Sequence, residues 1–122
     1  MILGLRTAIY HVDDLQAAKE WYTKVLGIEP YFDEPFYVGF NVGGYELGLN
    51  PDMSKVTKGN GSYTYWGVQD ARAEYQRLLE LGAEPSEEVQ DVGGILVATV
   101  LDAWGNVFGI IENPLFKIES SE

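Results

Sequence analysis

Leu15, Ala18, Tyr22, Val25 and Leu26 recur at spacings of three and four, which places them on one face of a helix. Asp14 precedes them with the carboxylate of an N-cap, and Gly27 follows as the left-handed residue that stops the helix. Ala71, Tyr75, Leu78 and Leu79 repeat the arrangement between Asp70 and Gly82. Between these helices the pattern changes to alternation. Phe36, Val38, Phe40 and Val42 are apolar, and Gly43-Gly44 after them reads as a two-residue hairpin turn. Such a turn pairs Val42 with Tyr45, so Tyr45, Leu47 and Leu49 share the apolar face. Gly39, Asn41, Glu46, Gly48 and Asn50 are thereby forced onto the opposite one. Further strands are predicted over residues 5–12, 62–68, 95–101 and 107–112, with weaker ones over 29–32 and 87–92 and a turn at 102–106.

These segments form a repeat. Val12-Asp13-Asp14 is echoed by Val68-Gln69-Asp70, 56 positions on, and Gly27-Ile28-Glu29-Pro30 by Gly82-Ala83-Glu84-Pro85, 55 positions on. Asn50-Pro51 is answered by Asn113-Pro114 at a distance of 63. A fixed period implies two copies of one supersecondary unit, each too small to bury its own apolar face, packed to share a ligand-sized cleft. The expected fold is α+β, two tandem βαβββ modules within one domain. Module one covers about residues 1–52, a linker 53–61, module two 62–114, and a charged tail 115–122.

Composition narrows the functional classes. The 122 residues are 46% hydrophobic, enough for one core, and contain no Cys, which excludes disulfides and fits a reducing compartment. No apolar run approaches a membrane span, so a cytoplasmic protein is expected, with neither membrane nor nucleic acid as partner. The net charge of -11 repels phosphate backbones and anionic lipid. Solubility is the plain reading of this charge. The sharper one is a field that draws cationic small molecules toward the cleft.

Val12-Asp13-Asp14-Leu15 before Trp21-Tyr22, Val25-Leu26-Gly27, and the Asp102-Ala103-Trp104-Gly105-Asn106 turn resemble the vicinal oxygen chelate superfamily over residues 5–114. That group holds glyoxalase I, extradiol dioxygenases, fosfomycin-resistance enzymes and bleomycin-binding proteins. The resemblance implies a cupped mixed sheet with helices on the outside, and a homodimer. In metal-dependent members, the first and last strand of each module supply one ligand apiece, and by that likeness the four positions fall on Thr7, Glu46, Tyr63 and Gly109. The repeat agrees, since Thr7 and Tyr63 are 56 positions apart and Glu46 and Gly109 are 63. A zinc, nickel or iron site needs about three donors from His, Glu, Asp or Cys. Only Glu46 qualifies, so no metal and no other cofactor is expected.

Strand parity places Thr7, Ile9 and His11 on the cup side with Tyr63 and Tyr65, while Glu46, Gly48, Gly109 and Ile111 line the other pair of strands. Glycines 48 and 109 are expected to widen the hollow, and Asn41 and Asn50 to orient an amide or hydroxyl ligand. The expected function is metal-free binding of an aromatic or cationic small molecule in an aromatic, largely apolar pocket. The alternative is a lyase- or isomerase-like enzyme with Glu46 as general base, with or without a divalent metal, and Tyr63 or His11 as acid. A metal set of Glu46, Glu112 and His11 is a third arrangement, and parity counts against Glu112, which shares a side with Phe108 and Ile110. Each residue also has a plain role: Glu46 as a hydrogen-bonded carboxylate, Tyr63 and Tyr65 as wall, His11 as a structural imidazole, Trp21 and Trp66 as core, Trp104 as pocket rim or partner contact.

Overall fold

Both helices form where the periodicity predicts them, α1 over Leu15–Leu26 and α2 over Ala71–Glu80, and the same device starts each. The Asp14 carboxylate accepts from the Ala17 N–H at 3.0 Å, and Asp70 from that of Ala73 at 3.1 Å, satisfying backbone donors that a first turn leaves open. Gly27, at φ 71°, stops α1 in the left-handed region that other residues enter at a cost. This structure, a computed structural model, describes residues 1, 3–55 and 63–114.

The strands are β1 (Thr7–His11), β2 (Phe32–Glu34), β3 (Tyr37–Val42), β4 (Tyr45–Asn50), β5 (Tyr65–Gly67), β6 (Glu84–Val92), β7 (Ile95–Leu101) and β8 (Val107–Glu112), with a short 3₁₀ turn at Met53–Lys55. The chain divides into two compact units, residues 1–60 and 61–122. Hydrogen bonding closes the strands of each unit into its own four-stranded mixed sheet, in the orders β1-β4-β3-β2 and β5-β8-β7-β6. The outer pairs β1–β4 and β5–β8 are parallel and the others antiparallel, so each unit is a βαβββ module and the fold is α+β. Residues 56–61 of the expected linker and the whole tail, 115–122, lie outside the described residues.

In module one, α1 buries Ala18, Tyr22 and Val25, and Tyr10, Val38, Phe40, Leu47 and Leu49 of the sheet are buried too. Removing each large side chain from water contributes about 1.5–3 kcal/mol, which is why this face carries the run of aliphatic residues. In module two, Ala71 and Leu78 are buried from the helix, and Ala98, Val100, Phe108 and Ile110 from the sheet. Two weaker strands moved. The strand expected at 29–32 forms three residues later, because Pro30 interrupts the ladder and Phe32 pairs with Gly39. The strand expected at 87–92 begins at Glu84; β6 is an edge strand almost wholly exposed, so pairing with β7 rather than an apolar alternation holds it.

Pairing also corrects the repeat. Thr7 faces Glu46 and Ile9 faces Gly48, whereas Tyr65, not Tyr63, faces Gly109. The matching bonds are Val12 N–H to Asn50 O at 3.0 Å and Val68 N–H to Ile111 O at 2.9 Å. Gly109 is therefore the counterpart of Gly48, 61 positions earlier, and Val107 the counterpart of Glu46. The Asn-Pro echo misled by two residues because Asn50 still pairs within β4 while Asn113 lies beyond the end of β8. Tyr63 stands ahead of β5, outside the ladder.

Candidate functional site

The face of the module-one sheet turned away from α1 carries Thr7 and Ile9 from β1, Tyr37, Gly39 and Asn41 from β3, and Glu46 and Gly48 from β4. Its centre is the Glu46 carboxylate. Thr7 Oγ1 donates to Oε1 at 2.9 Å, and the Tyr31 hydroxyl makes a short hydrogen bond to Oε2. The Tyr37 hydroxyl stands over Gly48, the neighbour of Ile9 and Gly39 on the same face. Cross-strand pairing brings Thr7 and Glu46 together, since directly opposed residues of a ladder project to one side. Tyr31 comes from the segment after α1, where its own N–H bonds Gly39 O at 2.9 Å.

Glycines make room for this cluster. A Cβ on Gly39 would stand 2.6 Å from Glu46 Oε2 and 3.0 Å from the Tyr31 ring, and one on Gly48 would collide with the Tyr37 hydroxyl. Gly109 is similar: its Cβ would meet Thr64 O at 2.6 Å and the Tyr65 ring at 2.7 Å. Glycines 48 and 109 therefore do not widen a hollow as expected. Neighbouring tyrosine rings occupy the space their missing side chains leave.

Burial acts to raise the Glu46 pKa, but the bonds from Tyr31, Thr7 and Tyr37 outweigh it and the carboxyl titrates below its ordinary range. The tyrosines respond in the opposite sense. Tyr37 is pushed up to about 12, mostly by burial and then by the Glu46 charge, and Tyr31 is raised chiefly by its bond to Glu46. The cluster is thus one carboxylate held by the Thr7 and Tyr31 hydroxyls, with its charge felt by Tyr37. Tyr31, Phe32 and Phe36 add aromatic surface beside it; the Tyr31 and Phe32 rings lie 6.4 Å apart and those of Phe32 and Phe36 6.0 Å. Tyr31 and Phe36 are 64% and 65% exposed, so this aromatic surface is accessible.

Three residues expected to contact ligand in module one have local duties. Asn41 Oδ1 accepts from Gly44 N–H at 2.9 Å and so holds the hairpin, and Asn50 Oδ1 accepts from Asp52 N–H at 2.8 Å. His11 Nδ1 lies 3.1 Å from the Asp52 carbonyl, which can only accept, so that nitrogen carries the proton and the ring ties β1 to the segment after β4. These residues sit on the expected face, but short polar bonds to backbone fix their carbonyl oxygens or ring as parts of turns. Ile9 is half exposed there, at 50%.

In module two, Tyr65, Gly109, Ile111 and Thr99 share the face opposite α2. The Tyr63 and Tyr65 rings meet edge to face at 6.3 Å. Tyr65 also borders a hollow of about 110 Å³ with Glu87, Gln90, Val97 and Thr99. Burial first, and then the charges of Glu87 and Tyr63, raise the Tyr65 pKa. Thr99 is buried; its hydroxyl accepts from Glu87 N–H at 3.0 Å beside a register shift in β6. Glu112 lies on the helix side, as parity requires, and its Oε1 accepts from Ala71 N–H at 2.8 Å. It is an anchor for the start of α2. Trp66 stacks on Phe108 at 6.5 Å on that same side, and Trp21 meets Tyr22 edge to face at 4.8 Å, both as packing residues.

The side chains at Thr7, Glu46, Tyr63 and Gly109, the positions expected from the resemblance, do not fit a divalent ion. Glu46 is the one carboxylate among them, and its oxygens already accept from the Thr7 and Tyr31 hydroxyls; hydroxyls are poor ligands unless ionised, and glycine offers no side chain. Among the described residues, no three His, Cys, Asp or Glu side chains converge elsewhere. Also among them, no helix is long and apolar enough to cross a membrane.

The residues that sequence reasoning missed are Tyr31, Tyr37, Glu87 and Thr99. Tyr37 was within reach, because alternation puts it on the face of Gly39 and Asn41, and Thr99 likewise shares the parity of Val97. Tyr31 precedes its strand and Glu87 lies between two register shifts, so no periodicity marks either.

A comparison with curated proteins found no match. Solved structures do share the fold. A glyoxalase-related enzyme from Fulvimarina pelagi superposes with TM-score 0.79 at 21% identity, over 98% of this chain and 94% of that one. A lactoylglutathione lyase from Agrobacterium tumefaciens gives 0.75 at 20%, over 98% and 100%. A glyoxalase/bleomycin resistance protein from Albidiferax ferrireducens gives 0.72 at 20%, over 90% and 98%. Residues 4–110 match the family model described as Glyoxalase/Bleomycin resistance protein/Dioxygenase superfamily. With two βαβββ modules of matching order and a match through both, the chain belongs to that superfamily, the vicinal oxygen chelate group.

Proposed function

We infer that this protein is a metal-free small-molecule-binding member of its family, and that it holds an aromatic or cationic ligand against the face of its first sheet turned away from α1. The observation that carries the reading is the Glu46 carboxylate, oriented by the Thr7 and Tyr31 hydroxyls and set beside exposed aromatic rings. An anion beside π-faces attracts a cation by both its charge and the ring quadrupole. The net charge of -11 raises the local concentration of such ligands.

The same hydrogen bonds speak against Glu46 as a general base. A base works best with a pKa near the operating pH and a lone pair aimed at the substrate proton. Here donors lower the affinity of Glu46 for a proton. Binding is therefore favoured over enolisation.

Calorimetric titration of chelator-treated protein with benzyldimethylammonium, and with neutral benzyl alcohol, tests this. The cation is expected to bind saturably with or without chelator and the alcohol weakly. Glu46→Gln should weaken the cation by roughly tenfold, the scale of one charge-assisted contact. Equal binding of the neutral probe overturns the role of Glu46 as an anchor for cations, and loss of binding after chelation overturns the metal-free reading.

A further inference from the structure

β2 is an edge strand of three residues, all of them exposed, and alternation divides them between the two sides of the sheet. Phe32 pairs with Gly39 and faces the side of Glu46. Asp33 pairs with Val38, which is buried on the side of α1. Tyr31, one residue before the strand, reaches Glu46 Oε2 through its hydroxyl while its N–H bonds Gly39 O. On the α1 side, Lys19 Nζ donates to Asp33 Oδ2 at 3.0 Å, with the two side chains 23% and 48% exposed. A hollow of about 440 Å³ is lined by Leu15 and Lys19 from α1 and by Asp33, Pro35 and Val38, so space rather than apolar packing lies between helix and strand there. An edge strand with so little buried apolar surface opens at low free energy, and the ion pair ties its middle residue to the helix.

We propose that Lys19 and Asp33 are positioning residues: their ion pair, made on the far side of the sheet, holds β2 so that Tyr31 stays against Glu46, and cation affinity at Glu46 depends on it. The effect on affinity rests on Glu46 as the anionic anchor of the ligand. A cation gains from carboxylate and ring together where both are in place before it arrives. When β2 opens, the ordering of Tyr31 subtracts from the affinity. Neither Lys19 nor Asp33 touches the ligand in this account, since both lie on the α1 side of the strand.

Lys19→Met, Asp33→Ala and the charge swap of Lys19→Asp with Asp33→Lys test this through two readouts, amide exchange at Tyr31 followed by NMR and affinity for benzyldimethylammonium. Each single variant should speed exchange at Tyr31 about threefold, the scale of one partly exposed ion pair, while Val12, bonded to Asn50 O at the other edge of the sheet, stays unchanged. Wild type in about 1 M salt, where the Debye length is about 3 Å, should exchange at Tyr31 as the variants do. Both single variants should weaken the cation about threefold, although one removes a positive charge and the other a negative one; a general field effect would move them in opposite directions. The swap should restore both readouts. Unchanged exchange at Tyr31, affinities that move in opposite directions, or a swap that restores neither readout overturns the positioning role while Glu46 stands as anchor. Failure of wild type to bind the cation overturns the anchor and with it the effect on affinity, and exchange at Tyr31 still reports whether the ion pair holds β2.

Discussion

The Tyr37 hydroxyl lies where a Cβ on Gly48 would have to go. Gly48 sits in the middle of β4, paired with Ile9 on one side and Gly39 on the other, where any larger residue would be expected to strengthen the strand. Here glycine instead lets the Tyr37 ring lean across the sheet over β4. Gly48→Ala should displace that ring and destabilise the protein by about 1–3 kcal/mol, as overpacking does. Denaturant unfolding of Gly48→Ala, Tyr37→Ala and the pair together reads the coupling: the double variant should cost less than the sum of the singles.

The legible and illegible parts of this fold separate along physical lines. Asp14, Asp70, Gly27 and Gly43-Gly44 act through local chemistry, a cap or a positive φ, and local sequence predicts them. The alternation from Val38 to Leu49 fixes which side faces the helix, because burial on one side leaves no freedom in register. What local sequence hides is how far a side chain reaches along the sheet. The expectation of space at Gly48 and Gly109 treated a missing Cβ as a void, yet interiors and sheet faces fill such gaps with the nearest long ring, here Tyr37 and Tyr65. Tyr31 was invisible for a different reason: its position depends on a backbone bond to Gly39 made outside any periodic element.

Asp102 is 4% exposed and organises the turn between β7 and β8. Its Oδ1 accepts from the N–H groups of Trp104 at 2.9 Å and Asn106 at 2.8 Å, and its Oδ2 from Asn106 Nδ2 at 2.8 Å. Removing the carboxylate strands these donors in a partly buried loop. Asp102→Ala is expected to cost about 3 kcal/mol, with Asp102→Asn in between because one acceptor survives. Equilibrium unfolding in urea measures both, and a loss below half of that for Asp102→Ala would show that water replaces the carboxylate.

Glu112 ends the last strand of module two yet serves the first residue of its helix, through Ala71 N–H. Asp70 satisfies Ala73 N–H, so two separate carboxylates share the open donors of α2. Glu112→Ala should cost about 1 kcal/mol, as loss of a cap does, and Glu112→Gln much less because its amide oxygen still accepts. Hydrogen exchange at Ala71 should accelerate in Glu112→Ala while that at Ala17, at the start of α1, stays unchanged.

The hydroxyl cluster makes stability depend on pH at both ends of the scale. Glu46 has a folded-state pKa below its ordinary 4.5, so its contribution is fully present above that value and is lost as pH falls through the folded pKa. Tyr37 has the opposite sign. Its pKa rises from 10.0 to about 12 on folding, so its contribution is present below pH 10 and disappears as pH climbs toward 12. Midpoints of urea unfolding for wild type, Glu46→Gln and Tyr37→Phe, measured from acid to alkaline pH, should show this. The gap between wild type and Glu46→Gln should close below pH 4.5, and the fall in wild-type stability between pH 10 and 12 should be shallower in Tyr37→Phe. A wild-type alkaline limb that Tyr37→Phe leaves unchanged would mean that Tyr37 ionises as freely in the folded protein as in the unfolded chain.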